Sequence, residues 1–142
     1  MNPTVEKFGY PETLVREYDH WLVLLRPAQV TLGSLVLAAK SDASAYSDLP
    51  EAAMCEQWRA VGDIERSLRT FVEYDKINYL MLMMVDREVH FHVIPRYSGT
   101  KTWDDSEFPD RGWPKTPDLG SAISLDLGQI ARMTDQLKKI FC

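Results

Sequence analysis

Two of the chain's three histidines, His90 and His92, stand one residue apart in the run Glu88-Val89-His90-Phe91-His92-Val93-Ile94-Pro95-Arg96-Tyr97. In an extended strand successive side chains face opposite ways, so Glu88, His90 and His92 share one face while Val89, Phe91 and Val93 share the other. The apolar set belongs to a core, which leaves two imidazoles and a carboxylate in a row on the opposite side. Three chemistries fit such a row. The histidines can be ordinary satisfied or surface residues. They can share a metal ion, with Glu88 as a third ligand. They can also act at phosphorus: an unperturbed imidazole with a pKa of about 6.5 is largely neutral and nucleophilic at pH 7, and a second ring beside it can orient the phosphate. The metal pattern that uses His-x-His wants another carboxylate a few residues on and another histidine downstream. Residues 93–101 hold no carboxylate, and no histidine follows His92. The remaining histidine, His20, lies far upstream beside Asp19.

The rest of the chain must position this strand. Residues 20–40, HWLVLLRPAQVTLGSLVLAAK, contain two β-like runs, Trp21–Leu25 and Ser34–Ala38, joined through Pro27 and Gly33, and predict a tight strand pair. SDASAYSDLPEA then reads as a loop. Asp48 with Glu51 three residues on, and Pro50 between them, form a helix-start signature. A helix is expected over 50–74, with Met54, Trp58, Val61, Leu68, Phe71 and Val72 on one apolar face. Residues 77–97 predict a β-hairpin broken at Asp86-Arg87. The Gly-, Pro-, Asp- and Trp-rich segment 98–121 is expected to be irregular, with Trp103, Phe108 and Trp113 anchoring it. Asp126 and Gln129 form a second helix-start pair, followed by the stripe Leu127, Ile130, Thr134, Leu137 and Phe141. The order β-β-α-β-β-α without regular βαβ crossovers predicts an α+β fold with an antiparallel sheet.

Bulk properties narrow the function classes. A chain of 142 residues suits one domain over 1–142 with its own core. Its apolar runs are far shorter than the roughly 20 residues of a membrane span, and no membrane partner is expected. The N-terminal stretch carries acids and prolines where a signal peptide would have a basic end and an apolar run, which argues for the cytoplasm. Two cysteines, Cys55 and Cys142, make neither a disulfide framework nor a zinc motif. A net charge of −5 argues against a long nucleic acid as partner, while a small phosphorylated molecule can still be held by backbone N–H groups and one or two side chains.

HFHVIPR resembles the second half of the histidine triad signature, in which three histidines alternate with apolar residues and Pro-Arg often follows. Gly33-Ser34-Leu35-Val36-Leu37-Ala38-Ala39-Lys40 is similar to that family's GHxLVxPK strand, and Pro27 precedes it as the family's proline does. The resemblance covers about residues 15–100 and is strongest over 89–96. It implies a histidine-triad-like α+β fold, with an antiparallel sheet of about five strands, one long helix and a C-terminal helix, and a homodimer. It also implies a small-molecule nucleotide, of purine type, as ligand. By position His90 matches the central histidine, which attacks the α-phosphorus to form a nucleotidyl-histidine that water hydrolyses. His92 matches the third histidine, a phosphate contact. Asn78 falls where the family carries a polar phosphate or ribose contact, or is a hairpin asparagine. Arg96 is a phosphate clamp or the partner of a salt bridge. No cofactor is implied.

Three positions depart from the family pattern: Glu88 stands at the first triad histidine, Ser34 at the histidine of GHxLV, and the Gly-Gln element before the triad is replaced by LMMVDR. A carboxylate beside a reacting phosphate repels it unless it orients a histidine, so Glu88 joins His90 and His92 as a candidate catalytic residue. The expected activity is cleavage of a phosphoramidate or phosphoanhydride at the α-phosphorus of a nucleotide. The alternatives are a nucleotide-binding module without turnover and an ExHxH metal protein.

Overall fold

The computed structural model describes residues 1–142. A short helix, α1 (Pro3–Lys7), starts at Asn2, whose Oδ1 accepts the Val5 N–H at 2.9 Å. The Asn2 amide donates to the carbonyls of Ala39 and Ser41, both at 3.0 Å, and so ties α1 to the sheet. Then come β1 (Leu14–Glu17), β2 (Trp21–Leu25), the two-residue β3 (Ala28–Gln29) and β4 (Leu35–Ala39). The long helix α2 (Glu51–Val72) leads to β5 (Lys76–Leu80) and β6 (His90–Arg96). The chain closes with β7 (Thr100–Trp103), β8 (Ser106–Pro109), β9 (Ile123–Ser124) and α3 (Leu127–Phe141).

The main sheet is antiparallel throughout, in the order β1-β2-β4-β6-β5. The strand pair, the long helix, the hairpin and the C-terminal helix appear where the sequence predicts them, and the α+β architecture with five strands is as expected. Alternation gives the sheet two apolar faces. On one, Val23, Leu25, Leu35, Leu37, Val89 and Val93 join Ile64 and Leu68 of α2 and Met133, Leu137 and Phe141 of α3 in the main core. On the other, Leu22, Leu24, Val36 and Ala38 meet Val5 and Phe8 of the N-terminal segment.

Several expectations are corrected. Trp58 lies outside the core with 83% of its surface exposed. The buried positions of α2 are Ala53, Ala60, Ile64, Ser67, Leu68 and Val72, and at about 100° per residue Trp58 sits roughly 120° around the helix from Ile64. Asp48 does not cap α2: it belongs to a 3-10 turn, Tyr46–Asp48, and the helix begins after Pro50 with no side-chain cap. The capping box of α3, Asp126 with Gln129, forms as predicted, but Leu127 at its start is 86% exposed. The segment 98–121 is not irregular throughout. β7 and β8 pair as a hairpin whose turn residues, Asp104 and Asp105, have φ of 53° and 59°, the left-handed pair that suits a two-residue hairpin turn. Phe108 enters the core, Trp103 packs against it and donates from Nε1 to Gln136 of α3 at 2.9 Å, and Trp113 is half-buried outside the core cluster.

The end of β6 is held by a buried ion pair. Arg96 Nε and Nη2 donate to the two carboxylate oxygens of Asp110 at 2.7 and 3.0 Å, and Asp110 also accepts from the Tyr97 and Gly112 N–H groups. A bidentate guanidinium–carboxylate pair of this kind fixes geometry as well as charge. Removing one partner leaves the other charge buried and unpaired. Asp110→Ala is therefore expected to lower the unfolding free energy by about 3 kcal/mol or more in urea titrations. A loss within error of zero would show that the pair is not a structural anchor.

Candidate active site

The register of the sheet aligns Leu24, Val36 and His92 across three strands, and Leu22, Ala38 and His90 one pleat away. Both imidazoles therefore lie on the face covered by the N-terminal segment, opposite the main core, as alternation along β6 requires. That face is not open. His90 is 1% exposed and His92 6%, because the Phe8 ring lies over both, with centroid distances of 5.8 and 5.6 Å. The imidazoles themselves are 5.1 Å apart, nearly perpendicular. Beside them is a hollow of about 350 Å³, near the lower end of small-molecule sites. Its polar lining is Lys7, Arg26, Asp86, His90 and His92; its apolar lining is Phe8, Leu119 and the loop residues Leu82 to Val85.

Each ring's tautomer follows from its neighbours. His90 Nδ1 is 2.7 Å from the backbone carbonyl of Glu88. A carbonyl oxygen only accepts, so Nδ1 carries the proton, and in the neutral ring Nε2 holds the lone pair. For His92 the order is reversed: Nδ1 accepts from Arg26 Nε–H at 3.3 Å, which leaves Nε2 as the N–H donor of the ring. Burial, then the positive Arg26, then His90, push the His92 pKa down to about 4. The one sealed, unpartnered side-chain polar atom of the structure is Thr134 Oγ1. Neither Nε2 has a protein partner, so both reach the hollow. One offers a lone pair and the other a hydrogen-bond donor.

The remaining candidates lie elsewhere. The Glu88 side chain turns away from the rings: its Oε1 accepts from Thr4 Oγ1 at 2.7 Å, and it lines a separate hollow with Pro3, Thr4 and Arg87. Arg96 is bound to Asp110 and also donates to Asn78 Oδ1 at 2.8 Å, and neither Arg96 nor Asn78 lines the imidazole hollow. The row of Glu88, His90 and His92 does not gather as a ligand set, and no group of three or more His, Cys, Asp or Glu side chains is placed to hold a metal ion. His20 sits in a turn whose backbone N–H binds Glu56. Ser34, at the family's histidine position, is fully buried: its Oγ donates to the Thr31 carbonyl at 2.8 Å and accepts the Thr31 N–H at 3.1 Å.

Sequence reasoning missed Arg26, Lys7, Phe8, Asp86, Leu119 and the apolar loop. Arg26 was within reach, because it follows Leu22 and Leu24 at even spacing on a strand whose even positions share the histidine face. Phe8 and Lys7 carried no such signal, since nothing local says that the N-terminal turn folds over β6.

No family model matches the sequence, and no curated protein matches it. Solved structures do. A histidine triad protein from Sinorhizobium meliloti aligns with a TM-score of 0.75 at 18% identity, over 98% of this chain and 94% of that one. One from Bradyrhizobium japonicum aligns with a TM-score of 0.72 at 17% identity, over 100% and 97%. A hypothetical histidine triad nucleotide-binding protein from Sulfolobus tokodaii aligns with 0.66 at 17%, over 91% and 83%. These similarities define the class by its architecture, an antiparallel sheet with helices in an α+β arrangement. The chain has the histidine triad fold.

The buried, neutral His92 links site and stability. Its unfolded pKa lies near 6.5 and its folded one near 4, so as pH falls the unfolded chain takes up the proton first. Stability from burying the neutral ring is complete above about pH 6.5 and drains away as pH falls toward about 4. The urea midpoint is expected to fall over that window in the native protein and to fall less in His92→Gln. Equal slopes in the two proteins would show that His92 does not titrate in this way.

Proposed function

We propose that the chain binds a nucleotide, of purine type, in the His90–His92 hollow and cleaves a phosphoramidate or phosphoanhydride at the α-phosphorus through a nucleotidyl-histidine. The observation that carries this reading is the 2.7 Å contact between His90 Nδ1 and the Glu88 carbonyl, which keeps the Nε2 lone pair available for attack. In the first step Nε2 bonds to phosphorus as the bond to the leaving group breaks, and the departing amine takes its proton from water. In the second step water attacks phosphorus, the P–Nε2 bond breaks with its electron pair returning to the ring, the proton of the attacking water neutralises the hydroxide left by the first step, and the nucleoside monophosphate is released. The His92 Nε2–H donates to a nonbridging oxygen, and its charge grows more negative toward the transition state. Neither step needs a metal ion as nucleophile activator.

In this reading Glu88 acts through two atoms. Its carbonyl sets the His90 tautomer, and its carboxylate holds Thr4. Asn78 and Arg96 serve the site at one remove, by holding β5 against β6. The homodimer that the resemblance implies belongs to the same proposal, with β5 as a free edge of the sheet, and a cytoplasmic setting is proposed with it.

A second reading, a nucleotide-binding module without turnover, draws support from the near-complete cover of both rings by Phe8. One assay decides between them. Incubation with adenosine phosphoramidate is expected to release AMP, and His90→Asn to lower the rate at least about 1,000-fold. Mass spectrometry should find an adenylyl group on His90 after rapid quench. Binding without release would leave the module alone standing.

Glu88→Gln separates the two roles of that residue. The glutamine Oε1 can still accept from Thr4 and the backbone carbonyl is unchanged, so turnover is expected to stay within about threefold of the native protein. A loss of 100-fold or more, on the order of 2.7 kcal/mol, would mean that the negative charge itself takes part.

A further inference from the structure

Each cation around the histidine strand can be matched to what balances it. Lys7 pairs with Asp86 at 2.8 Å and Arg96 with Asp110 at 2.7 Å. Arg26 makes no ion pair. Two of its five N–H bonds have protein acceptors: Nε donates to His92 Nδ1 at 3.3 Å, and Nη1 to the Ala28 carbonyl at 2.5 Å. The others have none in the protein. Asp86 is the one carboxylate lining the hollow, and Lys7 already neutralises it.

We propose that Arg26 is the anion receptor of this site, binding the phosphate of the substrate through its free N–H groups next to the N–H that it leaves on His92. The proposal rests on the functional reading above and names its ligand class, a phosphate monoester dianion or a phosphoramidate monoanion in preference to a neutral nucleoside. A partly buried guanidinium without a carboxylate is a standing electrostatic cost, and its planar fork of donors matches phosphate oxygens in pairs. Burial already lowers the Arg26 pKa, the mark of a charge removed from water and left without a counter-charge.

The position is imposed by the fold. Arg26 follows the last residue of β2. Its carbonyl accepts from the Gln29 amide at 2.7 Å, and its N–H donates to the Ser34 carbonyl at 3.0 Å. Gln29 is 1% exposed and also binds the Gly33 and Ser34 N–H groups at 2.8 and 3.2 Å. The backbone of Arg26 is therefore held rigidly beside the imidazoles before any ligand arrives.

Calorimetry with AMP and adenosine, and NMR of the Arg26 Nε–H and His92 ring signals during titration with inorganic phosphate, test this. The native protein is expected to prefer AMP over adenosine by about tenfold or more, Arg26→Gln to lose that preference while still binding adenosine, and Arg26→Lys to recover part of it. Inorganic phosphate should shift the Arg26 Nε–H signal in the native protein, a readout that needs no variant to fold. An unchanged AMP preference in Arg26→Gln, or no phosphate-dependent shift at Arg26, overturns the proposal. These results are separate from turnover. A phosphate response that depends on Arg26, without AMP release from the phosphoramidate, keeps the receptor and removes only the hydrolase.

Discussion

Two imidazoles held against each other almost out of reach of water are the constraint on which the rest of the site depends. Burial makes the charged form of the His92 ring expensive, and the protein fixes the proton positions of both rings with internal partners. It does so with one acceptor and one donor: the Glu88 carbonyl takes the proton side of His90, and the Arg26 Nε–H takes the lone pair of His92. The two Nε2 atoms consequently differ in kind although the residues are identical. A solvent-exposed pair would exchange tautomers freely and present a mixture of the two arrangements.

The cover that removes water comes from the N-terminal turn of the chain. Five residues of helix cannot be stable alone, and α1 persists because it is fastened at both ends. Asn2 binds the end of β4 through its amide, Lys7 pairs with Asp86, and Val5 and Phe8 bury against Leu22, Leu24, Val36 and Ala38. This gives the sheet a second apolar layer far smaller than the one formed by α2 and α3. A ligand of nucleotide size entering the hollow must work against that layer, which is thin and has few contacts.

Much of this was legible from pattern alone. Alternation along residues 89–93 gave the correct division of side chains between two faces, and the capping box of α3 and its stripe from Ile130 onward match the structure, with Leu127 as the exception. What failed has identifiable causes. Trp58 fitted a loose count of threes and fours, yet the helix turns by 100° per residue and the true stripe runs through Ile64. The β7–β8 hairpin hid behind an Asp-Asp turn that lacks the glycine usually expected there. For Arg96 the sequence left a phosphate clamp and a surface salt bridge open; the ion pair it makes is buried, because its partner Asp110 is 14 residues away and meets it only after the hairpin folds back. Phe8 and Lys7 meet β6 across more than 80 residues of chain, and no local pattern encodes such a contact.

At position 88 the backbone and the side chain have different partners. The group that sets the His90 tautomer is the carbonyl of residue 88, two positions back along the strand, and every amino acid supplies one. The side chain at 88 is released from that duty. Here a carboxylate uses the freedom to bind Thr4 of α1, on the far side of the Lys7–Asp86 pair from the imidazole hollow. Glu88 therefore lines the second hollow and not the one beside the imidazoles. At Ser34 the turn before β4 likewise holds a short side chain that closes onto Thr31.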